Sequence, residues 1–269
     1  MKITVLGSGT STGVPVIGCN CEVCLSDNPR NQRLRSSVYI ELEPNDTRIN
    51  NKSYYIIVDT GPDFRTQALK HNIGRIDAVL YTHAHADHIH GLDDIRIFNF
   101  IQEMEIPVYA EEQTCKKLMQ SFSYCFKDDP AYEGAGVPKL GINKIKTGEE
   151  IIFGSFPVRA LRLYHGSLPI LGYKFGNFAY LTDCSSIPDE TKNEISGISY
   201  LILDGLRHRP HRTHLTLEEA GKLAIELNIG QTILTHISHD IDYNKDSDFL
   251  EKKFGKRVTL AYDGLKLFL

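Results

Sequence analysis

Four side chains of the kinds that bind divalent metals crowd into six residues of this chain: His83, His85, Asp87 and His88. Imidazole and carboxylate are ligands that first-row divalent cations prefer. The cluster follows an apolar, strand-like run, Ala78-Val79-Leu80-Tyr81, and leads through Gly91 into a helix-like segment. Wrapped round a turn at a strand end, H-x-H-x-D-H spacing can aim two pairs of ligands at two neighbouring ions. The competing reading is a solvated histidine-rich turn. Two ions, however, need more ligands than one turn supplies, and further candidates are expected at strand ends. His165 closes Leu163-Tyr164-His165, Asp183 closes Tyr180-Leu181-Thr182-Asp183, and His236 closes Ile233-Leu234-Thr235-His236. One such histidine alone would read as structural; three residues in this order behind the turn read as ligands.

A second metal site is suggested by Cys19, Cys21 and Cys24, a C-x-C-x-x-C run. A structural zinc takes four closed ligands with no open position, and His239, three residues after His236, is the natural fourth. The alternative, a catalytic thiol or redox pair, has no partnering base in the sequence. Six cysteines in 269 residues do not read as a disulfide framework, because the chain is neither small nor loop-dominated.

These residues need elements to carry them. Strands are expected at 2–6, 36–43, 54–59, 78–81 and 106–110, then successively through 142–181, and at 199–203, 231–235, 258–261 and 265–268. Helices are expected at 62–71, 89–103, 112–120, 188–195, 216–227 and 245–254, with Thr216 and Glu219 forming a capping box. The aromatic, Gly- and Pro-containing stretch 121–141 has no clear period and reads as either an active-site lid, the favoured reading, or an irregular surface loop. A chain of this length buries a full core, and no linker or repeat divides it, so one domain spanning 1–269 is expected. A net charge of −4 gives no global attraction to nucleic acid or anionic membrane. The chain enters its first strand without a signal-peptide pattern, and no segment approaches transmembrane length, so a cytoplasmic protein is expected.

The T-H-x-H-x-D-H motif at Thr82–His88, with Asp59-Thr60-Gly61 ending an earlier strand, resembles the metallo-β-lactamase superfamily. The resemblance implies an α/β fold, the αββα sandwich of two mixed β-sheets flanked by helices, with Asp59 buttressing the histidine turn. It assigns His83, His85 and His165 to one metal and Asp87, His88 and His236 to a second, with Asp183 bridging. Zinc, manganese, nickel and iron all suit such ligands. Water held between two cations about 3.5–4 Å apart becomes a nucleophilic hydroxide near neutral pH, and the same ions clamp the oxygens of an in-line displacement. An aspartate bridge favours phosphoesterase or thioester chemistry over lactam cleavage, and Cys184 reads as a buried neighbour.

G-V-P-x-x-G-C-x-C-x-x-C and T-H-I-S-H narrow the resemblance to one branch, which includes a phosphodiesterase opening ribose 1,2-cyclic phosphates in the carbon–phosphorus lyase pathway. The match covers nearly the whole chain. It implies a metal-dependent hydrolase, a phosphodiesterase acting on a small, anionic, cyclic phosphate ester, with Asp87 and His214 as catalytic groups. His214 falls just before the 216–227 helix, where the family histidine contacts phosphate and can protonate the leaving alcohol; His208 and His211 read as parts of a solvated loop. Relatives pack as dimers, so a homodimer is expected. Two departures keep the exact ester from carrying over: Gly166-Ser167 follows His165 where the family has Ser directly, and 121–141 is unusually aromatic. Three other readings compete. A transfer-RNA-processing nuclease would need a basic arm, which is not evident, so no nucleic-acid partner is expected. A lactone or thioester hydrolase could use the same metals. A non-catalytic carrier like the pyrroloquinoline quinone assembly protein fits less well, because the ligand set is complete.

Overall fold

The computed structural model describes residues 1–43, 52–126 and 136–269. The expected lid, 121–141, therefore lies partly outside the described residues, as does the polar loop before Tyr54. The chain forms two compact units, one of Met1–Leu6, Ser37–Lys146 and Lys266–Leu269, the other of Gly7–Ser36 and Thr147–Leu265.

In the first unit a seven-stranded mixed sheet runs in the order Lys266–Phe268, Lys2–Gly7, Ser37–Leu42, Tyr54–Val58, Ala78–Leu80, Ile106–Ala110, Leu140–Lys144. The last four strands are mutually parallel. Their short Val/Ile/Leu runs suit strands buried on both faces. Ile57, Val79, Val108 and Ala110 pack with Phe64, Leu92, Ile95, Phe98 and Leu118 from Phe64–Lys70, Leu92–Ile95, Arg96–Gln102 and Glu112–Ser121. The helix expected over 89–103 is in fact broken. A four-residue turn of helix, Ala86–Ile89, is followed by a 3₁₀ turn, Leu92–Ile95, and then the α-helix Arg96–Gln102. Gly91 sits at the break because a Cβ there would collide with the Gly61 carbonyl oxygen and come within 2.7 Å of Phe64 Cβ.

The second unit is also a seven-stranded mixed sheet, ordered Val258–Leu260, Gln231–Thr235, Tyr200–Asp204, Phe178–Leu181, Leu168–Phe175, Phe156–His165, Glu150–Phe153. Its first four strands are parallel, so their C-terminal ends share one edge. Helices Asp189–Ile195, Leu217–Glu226 and Tyr243–Phe254 cover it through Ile195, Leu217, Ala220, Ala224 and Leu250. The Thr216–Glu219 capping box forms as expected. The last of these helices starts earlier than predicted because Asp242 accepts hydrogen bonds from the Asn244 and Lys245 N–H groups, an N-cap that satisfies two orphan donors. Among the described residues, no helix is long and apolar enough to cross a membrane.

Candidate metal centres

The histidine turn is built on an aspartate. Asp59, fully buried, leaves strand Tyr54–Val58 with a left-handed backbone (φ 63°). Its Oδ1 accepts from the Thr82 N–H at 2.9 Å, and its Oδ2 accepts from the Thr82 hydroxyl at 2.8 Å and from His88 Nδ1 at 2.7 Å. The Thr82 oxygen lies 3.0 Å from His83 Nδ1 and can accept from it. Both rings are thus held through Nδ1, which leaves Nε2 as the nitrogen for a metal, the arrangement found where outer hydrogen bonds orient histidine ligands. Thr60 N–H donates to His88 O and Gly91 N–H donates to Thr60 O, each at 2.8 Å, locking the turn to the Asp59 loop. The His83 ring lies 4.5 Å from that of His85 and 4.3 Å from that of His88. Asp87 Oδ2 is 3.2 Å from His88 Nε2, within the roughly 3–3.5 Å expected of oxygen and nitrogen sharing one ion.

In the second unit, His165, Asp183 and His236 all stand at strand ends, as the sequence suggests. His165 Nδ1 donates to the carbonyls of Asp183 (2.8 Å) and Thr213 (3.0 Å), again reserving Nε2. Asp183 accepts from the Thr182 hydroxyl on Oδ1 at 2.7 Å, and its Oδ2 lies 3.1 Å from His236 Nε2. Asp183 (φ 56°) and His236 (φ 60°), like Asp59, hold a left-handed backbone, strain that side chains of this kind accept where geometry is functional. His214 joins them: its ring stacks on His236 at 4.7 Å and meets the His165 ring edge-on at 4.7 Å. The ligand-type atoms of His165, Asp183 and His214 fall within one ion-sized group, as do those of Asp204, His214 and His236.

Asp204 is the site residue that sequence reasoning missed. Fully buried, it ends the strand between those that end at Asp183 and His236. Its Oδ2 accepts from the Leu215 N–H at 3.0 Å and from His214 Nδ1 at 3.2 Å, and its Oδ1 lies 3.7 Å from His236 Nδ1. The available signal was positional: an acid closing an apolar run, as at Asp183, on a parallel strand whose C-terminal end faces a site. Burial pushes the carboxyls of both Asp59 and Asp204 up, against the pull of the neighbouring histidines. Buried acids of this kind favour positive charge nearby. Cys184 is wholly buried and its thiol raised by that burial, in keeping with a packing role.

The cysteine cluster closes within the second unit. His239 Nδ1 lies 3.3, 3.5 and 3.6 Å from the Sγ atoms of Cys19, Cys21 and Cys24. A tetrahedral zinc with Zn–S of about 2.3 Å and Zn–N of about 2.0–2.1 Å separates S from N by about 3.5 Å, so the donor set fits that ion. The Cys24 N–H, donating to its sulfur, lowers the Cys21 thiol to about 6, whereas burial raises Cys24 to about 11. Arg33, also unforeseen, is buried and donates to the carbonyls of Ser238 (3.0 Å) and Ile241 (2.8 Å), holding the loop that carries His239.

Residues 54–237 match the β-lactamase superfamily domain, and the chain belongs to that superfamily. The metallo-β-lactamase fold read from the motifs is therefore the fold of the protein. Within the superfamily it is closely related to the PhnP family. A crystal structure of a diphosphatase from that family is 40% identical, with a TM-score of 0.86 over 99% of this chain and 96% of the other. An octanoyltransferase of Porphyromonas gingivalis is 36% identical over the whole chain, which spans about half (52%) of that relative's length. The zinc-bound PqqB of Methylobacterium extorquens, 21% identical with a TM-score of 0.73 over the full length of both chains, shares the fold.

Proposed function

We propose that this protein is a metal-dependent phosphodiesterase acting on a small phosphate ester. The observation that carries the reading is the ligand set: His83 and His88 in one unit and His165 in the other have Nδ1 engaged by hydrogen-bonding partners. Such preorganisation is what catalytic metals require and solvated histidines lack. His83, His85, Asp87, His88, His165, Asp183 and His236 are the proposed ligands of two divalent cations, which, when bound, supply the Lewis acidity and the activated water for attack at phosphorus. His214, oriented by Asp204, is the proposed general acid that protonates the departing alkoxide through Nε2. The likeness to a PhnP-family diphosphatase supports a phosphate substrate over a lactam. Cys19, Cys21, Cys24 and His239 are proposed to hold a structural zinc. We further propose one domain over 1–269, a cytoplasmic location and a homodimer.

A second reading, hydrolysis of a thioester or other acyl substrate, is favoured by the octanoyltransferase relative, although the matched half accounts for only part of that protein. The experiment that separates the two offers the manganese- or zinc-loaded protein bis-p-nitrophenyl phosphate, a lactone and an acyl thioester in parallel. Turnover of the diester supports the first reading. Turnover of the acyl substrates alone replaces it with the second.

A further inference from the structure

In the second unit one short loop, residues 236–241, serves both candidate metal sites. It leaves the strand Gln231–Thr235 at His236, a proposed ligand of the catalytic cations, and reaches His239, the nitrogen of the cysteine cluster, three residues later. Its backbone has little freedom between them. Ile237 N–H donates to Ser8 O at 2.9 Å, Ile237 O accepts from Thr10 N–H at 3.2 Å, and Ser238 N–H donates to Leu206 O at 3.0 Å. A displacement at either histidine is therefore felt at the other.

The carbonyl side of the loop is held by one residue. Arg33, only 1% exposed, sends Nη1 to Ser238 O (3.0 Å) and Nη2 to Ile241 O (2.8 Å), so its planar fork spans the turn that carries His239. Nη2 also donates to Asn31 Oδ1 at 3.0 Å, and the buried Asn31 donates through Nδ2 to Asp242 Oδ2 at 2.9 Å. By its backbone the same arginine belongs to the cysteine side. Arg33 and Val14 exchange N–H···O bonds, each 2.8 Å, and Val14 packs with Val23 and Cys24. The Val16 N–H donates to Cys24 Sγ at 3.3 Å. Burial works against the charge on Arg33, whereas Asp263, Asp242, Asp246 and Cys24 favour it through space. Three thiolates and a neutral imidazole on a dication leave a single net negative charge, so a filled zinc site adds to the field that holds this cation.

We propose that Arg33 is a positioning residue that couples the cysteine cluster to His236, so that zinc on Cys19, Cys21, Cys24 and His239 tightens metal binding at the catalytic centre. This rests on the phosphodiesterase reading, in which His236 and the cysteine cluster are metal ligands. Such coupling is reciprocal: the factor that zinc contributes to the catalytic metal, that metal contributes to zinc.

The test follows free manganese by electron paramagnetic resonance, without substrate. Manganese, which thiolates bind poorly, is titrated into protein whose cysteines hold zinc and whose catalytic centre has been emptied with a mild chelator. Wild type is compared with Cys21→Ser, which breaks the zinc site, with Arg33→Lys, which keeps a cation but has no fork for two carbonyls, and with the double variant. Each single variant is expected to weaken manganese binding about 10-fold or more, and the double no more than the worse single, because both cut one path. In wild type, manganese should raise zinc affinity by the same factor, read by competition with a chromophoric chelator; in Arg33→Lys it should not. An arginine that merely stabilised the fold would lower both affinities and leave their coupling intact. If Cys21→Ser does not fold, the reciprocal measurement in wild type and Arg33→Lys decides alone. Manganese affinity within about twofold of wild type in a folded single variant, or fully additive losses in the double, would overturn the coupling. So would zinc affinity that is indifferent to manganese in wild type. No manganese uptake by wild type would sink the catalytic-centre reading and the coupling with it.

Discussion

The first unit offers its proposed metal ligands from one turn, whereas the second gathers its own from the ends of separate strands. His83, His85, Asp87 and His88 are neighbours in sequence, and one buried acid, Asp59, orients His88 directly and, through Thr82, His83. His165, Asp183, His214 and His236 span 72 positions of sequence, His165 to His236. Asp183 and His236 follow parallel strands that end at one edge, His165 ends a strand paired antiparallel to its neighbour, and His214 lies on the loop after Tyr200–Asp204. There the buried acid, Asp204, faces both a proposed ligand, His236, and a proposed proton donor, His214. Under the proposed function, the same device, a strand-end aspartate behind histidines, serves metal retention alone in one unit, and metal retention plus proton transfer in the other.

Removing each aspartate tests this difference. Asp204→Ala should have the larger effect, lowering phosphodiester turnover by about 100-fold or more. Excess metal should restore only part of it, because His214 loses its orientation along with His236. Asp59→Ala should weaken metal binding about 10- to 100-fold, and saturating manganese or zinc should recover most of the turnover. Metal titrations of activity read both. Full metal rescue of Asp204→Ala would erase the distinction between the two acids.

A smaller effect is expected at the start of the strand Ala78–Leu80. In the first unit, burial pushes the Asp77 carboxyl up, but hydrogen bonds from Arg75 and the Tyr55 N–H, with Lys52 nearby, outweigh it and hold the group below its ordinary value of 3.8. A carboxylate lowered on folding contributes stability that is present above that ordinary value and lost as pH falls through the lowered one. Asp77→Asn should therefore cost up to about 1 kcal/mol at pH 7. The gap in thermal denaturation midpoint between variant and wild type should close as pH falls below the ordinary carboxylate value of 3.8, and metal-dependent turnover should change little.

What the sequence disclosed follows from the same contrast. The histidine turn and the cysteine run were legible because their ligands are local, and strand-end residues could be recognised once two ions demanded more ligands. Most strands and helices were legible from apolar periodicity. The break at Gly91 was not, because it depends on the backbone of Gly61 and the Cβ of Phe64, contacts between segments distant in sequence. Asp204 escaped for a related reason: its importance comes from its strand lying between those of Asp183 and His236, an order that periodicity does not encode. Arg33 gave no signal at all, since an arginine whose guanidinium is buried against carbonyls looks in sequence like any surface cation.

The most direct test of the central claim, metal-dependent phosphodiester cleavage with His214 as proton donor, counts metal and turnover together in Asp183→Ala and His214→Ala. Bis-p-nitrophenyl phosphate has too good a leaving group to need an acid, so a diester with an alkyl alcohol is the substrate. Asp183→Ala should lose both bound active-site metal and turnover. His214→Ala should keep its metal while turnover falls by about 10²- to 10⁴-fold, the usual contribution of a general acid. Undiminished alkyl diester cleavage in either variant would contradict the account.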